Sequence, residues 1–258
     1  MSNSIKHKFA AQLYTLRNEL EQDFTGTLRT LKAMGWPAVQ ISGLRNHTKE
    51  QIAAALQETG LKTAGMHVSL DRFRGDLAEV LVEAQLFQTK DLICPFLADD
   101  LRNEAGYQSV RRELNELADK LAGEGYRISY HNHDFELRVR LEGKTALEYM
   151  LEPSHTNAVL AEVDVYWVKK AGFDPLAFIQ PYANRMPIIH LKDMSNDERQ
   201  EFAEIGTGTI DFAPILSWGE RSGIEWYAVE QDVCPGNPLD SLQLSLNNLN
   251  KLADELEA

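Results

Sequence analysis

Stretches with apolar residues spaced three and four apart alternate along this chain with short, nearly continuous apolar runs. "TLRTLKAMGWPAVQIS" is the first clear case: an amphipathic helical face, a glycine, then a run of buried-strand character. "QIAAALQETGLKTAGMHV", "ELNELADKLAGEGYRISYHNH" and "APILSWGERSGIEWYAVEQD" repeat the order. Gly35, Gly60, Gly125 and Gly223 follow the last helical residues. Glycine there takes the left-handed conformation that closes a helix before a strand. Further strands are expected near 8–14, 91–97, 158–165 and 187–192. Helices are expected near 24–34, 48–59, 76–88, 104–123, 145–152, 174–184, 211–222 and 238–256. Thr48 with Gln51 reads as a reciprocal N-cap, and Asp174-Pro175 and Asp211 as helix starts. Eight strands alternating with eight helices imply a parallel sheet with right-handed crossovers. At 258 residues this closes as a single (β/α)8 TIM barrel domain over 1–258. An open doubly wound sheet usually shows a glycine-rich turn after its first strand, and "AAQLYTLRNEL" has none.

In such a barrel the chemistry gathers at the C-terminal ends of the strands. The first strand ends in Gln12 and Tyr14, the third in His67, and the fourth in the featureless "LICPFL". The fifth ends in His131 and His133, the sixth in Glu162 and Asp164. The seventh ends in His190 and Lys192, the eighth in Glu230 and Asp232. Each pair is spaced by two, so both members share one face of their strand. Burying so many ionisable groups is expensive unless they pair or bind a cation. Imidazole and carboxylate from four consecutive strands form a coherent shell for a divalent ion, and mixed N/O donors suit Mn, Co, Fe, Zn or Ni better than Ca. The structural reading stands beside this one. A lone strand-end histidine such as His67 is more often simply hydrogen-bonded. Glu162 reads equally as an outer carboxylate or a core acid paired with Lys192. Asp134 and Asp232 read as loop caps, Cys94 as a small core residue, and Trp36 as packing between helix and strand. Three independent strand ends agree on Asp164, His190 and Glu230, which favours the ligand reading for them.

Acids outnumber bases 39 to 26, for a net charge of −13. That balance argues against nucleic acid or an anionic membrane as a partner, since both need clustered Lys and Arg. Two distant cysteines, Cys94 and Cys234, make neither a disulfide framework nor a cysteine zinc site. "MSNSIKHKFAAQLY" has no apolar leader-like run, and nothing approaches a membrane span of ~18 apolar residues. A cytoplasmic protein is expected. A homo-oligomer is compatible with the sequence.

"AAQLYTLR", "YHNHDFEL", "EVDVYWVKKAGFDP", "IIHLKD", "EIGTGTIDF" and "VEQD" together resemble the xylose-isomerase-like barrel superfamily, over essentially the whole chain. Its members include sugar phosphate isomerase/epimerases, ketose 3-epimerases and inosose dehydratases. In the ketose epimerase branch Glu, Asp, His and Glu from strands five to eight hold one metal. The last three match Asp164, His190 and Glu230, while His131 stands where those enzymes have glutamate. That departure puts a two-glutamate proton swap in doubt. A "YHPH"-like segment at this place is a feature of inosose dehydratases. The resemblance therefore implies isomerisation, epimerisation or dehydration of a keto-sugar, sugar phosphate or cyclitol, with one divalent ion (Mn, Co, Zn, Fe, Ni or Mg). The implied ligands are His131, Asp164, His190 and Glu230, with His133 as the alternative on the fifth strand. The endonuclease IV branch needs more histidines and acids than these strand ends supply.

The chemistry so implied runs through a metal-held enediolate. Glu230 would move the proton on carbon, with His133 or Glu162 as the complementary acid and Lys192 on a substrate oxygen. Gln12 and His67 would hold hydroxyls, and Trp167 would offer an apolar wall with Tyr166. The glycines of "EIGTGTIDF" would let that loop cover the substrate or hold an anion on its amides. A lyase on 3-keto-glycosides would use the same enediolate. A non-catalytic sugar-binding barrel is the rival of another class, and failure to take up metal would favour it.

Overall fold

The computed structural model describes residues 4–258. The first three residues of the stretch read for a leader lie outside the described residues. Eight parallel strands form the barrel: β1 Phe9–Gln12, β2 Ala38–Ile41, β3 Lys62–His67, β4 Asp91–Cys94, β5 Arg127–His131, β6 Leu160–Glu162, β7 Ile188–Leu191 and β8 Trp226–Val229. Their order around the sheet is β6-β5-β4-β3-β2-β1-β8-β7. The remaining seam, β6 to β7, is joined by Ala161 N–H to Arg185 O (2.8 Å), His190 N–H to Val163 O (3.0 Å) and a parallel bridge between Asp164 and His190. The main outer helices are α1 Phe24–Met34, α2 Lys49–Thr59, α3 Leu77–Leu86, α4 Glu104–Ala122, α5 Ala146–Met150, α6 Pro175–Ile179, α7 Phe212–Arg221 and α8 Pro238–Glu257. No helix among them is long and apolar enough to cross a membrane.

Local chemistry sets the boundaries. Thr48 and Gln51 form the reciprocal cap of α2, and Thr145 with Glu148 does the same for α5. Asp174 and Asp211 cap α6 and α7. Gly35, at φ 102°, returns its N–H to the last carbonyls of α1. The strands are shorter than their apolar runs. β1 stops at Gln12 because its side chain accepts the Tyr14 N–H and turns the chain into a 3-10 segment, Leu13–Leu16. Pro95 follows the end of β4, where it can donate nothing to a ladder.

Four short helices enter directly after strand ends and were not foreseen: Arg17–Gln22, Leu70–Gly75, Phe135–Arg138 and Val165–Lys170. Of these only Arg17–Gln22 is separated from its strand by another helical turn. The helices matter because they aim side chains at the mouth of the barrel.

The barrel interior is layered. Apolar residues line its middle: Ala10, Ala38 and Ala64 pack together, as do Ile93, Ile188 and Ala228, with Trp226 against both groups. Gly65, at φ 138°, leaves room for the Ile93 and Ile188 side chains, each 2.9 Å from where its Cβ would stand. Beneath, Arg127 bridges Asp91 and Glu225. Above, every strand but β4 delivers a polar side chain at or just past its C-terminal end, and these carry the candidate site.

Candidate active site

The deepest part of the polar layer is a hydrogen-bonded ring. Gln12 donates to Gln40 Oε1 (2.6 Å), and Gln40 donates to Glu162 Oε2 (2.6 Å). Glu162 Oε1 lies 2.7 Å from His67 Nε2, 3.1 Å from His190 Nε2 and 3.3 Å from His131 Nδ1. Burial alone would raise the Glu162 carboxyl, but the surrounding imidazoles hold it well below the usual carboxylate range. Its oxygens are spent on these neighbours, and Lys192 pairs with other acids. This corrects the expected ion pair of Glu162 with Lys192.

Above the ring, Lys192 stands among three carboxylates: Asp164 Oδ2 (3.1 Å), Glu230 Oε2 (2.8 Å) and Asp232 Oδ2 (2.8 Å). Asp232 therefore does more than cap a loop. The ammonium is fully buried, which opposes its charge, but the three carboxylates carry its pKa well above normal. Burial raises Glu230 too, yet Lys192 and His190 hold it well below the usual range. Asp164 goes the other way: burial outweighs Lys192 and lifts it to about 6. Asp164 sits past the end of β6 as the N-cap of Val165–Lys170, its Oδ1 accepting the amides of Tyr166 (2.9 Å) and Trp167 (3.3 Å). That leaves Oδ2 aimed into the barrel.

His190 joins the two levels. Its Nε2 lies 2.6 Å from Gln40 Oε1, and its Nδ1 faces Glu230 Oε2 (3.2 Å) and Asp164 Oδ2 (3.8 Å). Donor atoms of His131, Asp164, His190 and Glu230 all lie within 4.8 Å of one another. The deeper set His67, His131, Glu162 and His190 meets the same measure and shares two members. His131 Nδ1 and Asp164 Oδ2 are buried with no hydrogen bond of sound geometry among the described residues. Nitrogen and oxygen donors free of a directed hydrogen bond, converging with a further imidazole and carboxylate, fit a divalent transition ion. The upper set is the one the sequence points to, and the structure brings all four members together.

His133 lies two residues beyond the end of β5, not on it. Phe135 stacks on its ring at 5.4 Å, with Phe96 and Trp167 at similar range. Burial and then the nearby Lys192 charge push it down to about 3. It is therefore neutral near pH 7, able to accept a proton but not to deliver one as imidazolium. Glu136, from Phe135–Arg138, accepts the His133 N–H (2.8 Å) and the Tyr130 hydroxyl (2.7 Å) and so fixes this turn.

A cavity of about 940 Å³ opens over the upper cluster. His67, His131, His133, Lys192, Glu230 and Asp232 line its floor, and it runs outward past Phe96 to Tyr14, Leu44 and Arg45. Gln12 is fully buried and does not line the cavity; its amide is hydrogen-bonded to Gln40. Trp167 is not on the cavity wall either; it packs against His133 and lies 5.6 Å from the Lys192 ammonium. Tyr166 is buried, its hydroxyl bonded to Gln200 O. Trp36 and Cys94 are core residues.

The glycine loop has a different job from the one expected. Asp193, fully buried, accepts the amides of Gly206 (3.0 Å), Gly208 (2.9 Å), Ile210 (3.0 Å) and Met194 (2.7 Å). Its carboxylate already occupies the place an anion would take, so the loop is tied down and the anion reading is withdrawn. Sequence reasoning missed Asp193, Gln40 and Glu136. Asp193 directly follows Lys192, and Gln40 lies two residues after Ala38 on β2, the position equivalent to Gln12 in β1.

The sequence model of the xylose isomerase-like TIM barrel matches residues 28–252. An inosose dehydratase of Clostridium perfringens is 25% identical over 157 residues, covering 54% of this chain and 52% of that protein. The chain thus aligns with about half the length of such curated relatives. A sugar phosphate isomerase/epimerase from Parabacteroides distasonis superposes with a TM-score of 0.78 at 21% identity, over 97% of this chain and 95% of that one. The apo form of 3-keto-D-glucoside 4-epimerase from E. coli gives 0.68 at 16% identity, over 95% and 99%. With the model matching from α1 to α8, this chain belongs to the xylose isomerase-like TIM barrel family.

Proposed function

We propose that this chain is a sugar-modifying enzyme, a divalent-metal-dependent isomerase, epimerase or dehydratase of a keto-sugar or cyclitol. The observation that carries the reading is the convergence of His131, Asp164, His190 and Glu230, two of them with donor atoms free of a directed hydrogen bond, beneath a cavity of about 940 Å³. A cation bound by those four would supply Lewis acidity toward neighbouring carbonyl and hydroxyl oxygens of the substrate.

The chain's own residues supply the rest. Glu230 is ionised and at the cavity floor, placed to take the proton from carbon next to the carbonyl. Lys192 presents an ammonium to the oxygen on which negative charge develops, and can protonate a departing hydroxyl. His133, neutral and open to the cavity, is the second proton acceptor. His67 donates or accepts at a hydroxyl from the opposite wall. General acid–base groups of this kind contribute ~10²–10⁴-fold each. Phe96 and the aromatic side of His133 exclude water from that part of the floor.

The relatives named inosose dehydratase and the absence of a glutamate at the His131 position favour elimination over a two-glutamate epimerisation. A second reading has its own observation: the cavity extends beyond the cluster to Tyr14, Leu44 and Arg45, which suits a glycosylated keto-sugar and its cleavage. Metal analysis of the purified protein, then a panel of ketoses, inososes and 3-keto-glycosides followed by NMR in D2O, tests both. Loss of a substituent oxygen marks a lyase, and solvent deuterium in an intact skeleton marks isomerisation or epimerisation. A protein that takes up no transition metal and changes no substrate is a sugar-binding barrel instead.

A further inference from the structure

The metal reading leaves two overlapping ligand sets, an upper one with Asp164 and Glu230 and a deeper one with His67 and Glu162. His131 and His190 belong to both. We infer that Gln40 decides between them by holding the Nε2–H of His190, a positioning role that rests on the metal reading above.

Donors and acceptors alternate around the buried ring. The Tyr14 N–H can only donate, so the Gln12 atom that meets it at 3.2 Å is Oε1, and Gln12 Nε2 faces Gln40. An ionised Glu162 can only accept, so the Gln40 atom that meets its Oε2 at 2.6 Å is Nε2. Two anchors at opposite ends of the ring thus give one answer: Gln40 presents its carbonyl oxygen to His190. Turning either amide over would set oxygen against oxygen or N–H against N–H in a fully buried place.

His190 Nε2 lies 2.6 Å from that oxygen and must carry the hydrogen. Before metal binds, Nδ1 faces the ionised Glu230 at 3.2 Å and carries a hydrogen too; a cation held by Asp164 and Glu230 would displace that hydrogen while Gln40 keeps the one on Nε2, so the ring would offer Nδ1. Nδ1 points up, toward Glu230 and Asp164. The deeper set would need the Nε2 lone pair, which Gln40 keeps covered. A ligating imidazole whose other nitrogen is held by an outer partner is oriented and made more basic by it. Gln40 therefore directs the ion to the upper set, next to Glu230, Lys192 and the cavity. Without it the ion could settle one level lower, where Glu162 has no access to substrate.

Zinc alone is a sufficient probe. Protein labelled with 15N-histidine and titrated with zinc is followed by long-range 1H–15N correlation. The expected result is a retained Nε2–H on His190 with Nδ1 shifted by metal. H67A should leave zinc affinity where it was, because His67 is outside the upper set. Q40M, which matches the length of glutamine without its carbonyl, should lose the Nε2–H bias and weaken zinc binding by about 10–100-fold with circular dichroism unchanged. Zinc shifting Nε2 of His190 in the unaltered protein, or a large loss of zinc affinity in H67A, overturns the selection while leaving a metal enzyme intact. No zinc uptake by the unaltered protein overturns both readings. Should Q40M fail to fold, the spectrum of the unaltered protein and the H67A titration still decide.

Discussion

At the N-terminal end of the barrel, Arg127 reaches Asp91 and Glu225 through four contacts of 2.5–3.0 Å. At the C-terminal end, Lys192 stands among Asp164, Glu230 and Asp232, and the Nδ1 atoms of His131 and His133 are buried with no hydrogen bond among the described residues. Both ends bury charge, and geometry separates them. Below, a planar guanidinium meets each carboxylate bidentately, and nothing remains for a ligand to satisfy. Above, a single ammonium serves three carboxylates, and the imidazoles have donor atoms to spare. Among the described residues, only the upper cluster opens into the cavity of about 940 Å³. A satisfied cluster stabilises; a cluster unsatisfied in a convergent way is what a functional site looks like before its ligand arrives.

The largest expected effects break this contrast at the upper end. E230Q should lower turnover by ~10²–10⁴-fold, the usual worth of a general base, and more if metal is lost with it. D164N should cost most of the bound metal, measured by elemental analysis after dialysis. Neither should unfold the protein, since each removes one carboxylate from a set with an excess of them. Retention of full metal and turnover in both variants would mean the cluster is structural, like the one below.

At the lower end the signs reverse. R127M strands Asp91, which is almost fully buried, and should cost about 3 kcal/mol by urea unfolding. That is the low end for breaking a buried pair, because Glu225 is 43% exposed and keeps its hydration. Zinc affinity should not change. The double change R127M/D91L should recover much of the loss, as apolar replacement of a whole pair often does. A drop in metal affinity in R127M would show that the two ends are coupled through the strands.

A smaller effect is expected at Asp193, whose side chain is satisfied like the lower cluster but lies beside the upper one. D193N keeps one oxygen and loses the charge, so the amides of Gly206 and Gly208 compete for a poorer acceptor. The cost is about 1–3 kcal/mol, read as a lower thermal midpoint, with zinc binding retained. If zinc binding falls as far as in D164N, the glycine loop is part of the site after all.

What the sequence disclosed follows the same contrast. Strand alternation and the period of two put His131, Asp164, His190, Lys192 and Glu230 together, because ionisable residues at strand ends are conspicuous against apolar runs. Gln40 was passed over because a neutral amide raises no such flag, although its place on β2 matches that of Gln12 on β1. The short helix Val165–Lys170 is six residues long, too short for a 3.6-residue period to show, so Asp164 read as a strand residue rather than a cap. The apolar runs overstated strand length for the same reason: sequence shows burial, but only hydrogen bonding shows where a ladder stops, as at Gln12 and His131. The glycine loop misled because its donors were visible and their acceptor, Asp193, reads like any other acid.

The subtlest test concerns Glu136, buried behind β5 and fully hydrogen-bonded, yet not countered by an ion pair. Burial raises its carboxyl to about 7 from an ordinary 4.5, against the opposing pull of the Tyr130 hydroxyl and the backbone amides. The folded form then holds this proton more tightly than the unfolded chain does. Its stabilising contribution is complete below about 4.5 and is lost as pH rises through about 7. Glu136→Gln replaces the protonated acid with an amide that can accept from the His133 N–H and donate to the Tyr130 oxygen at any pH. The unfolding midpoint in urea should fall for the unaltered protein between pH 5 and 7, and fall less for the variant. An identical slope in both would assign the pH dependence to the upper cluster, where His190 is raised to about 10 and Asp164 to about 6. Zinc separates the two sources, since it should quench titration of the cluster and leave that of Glu136 in place.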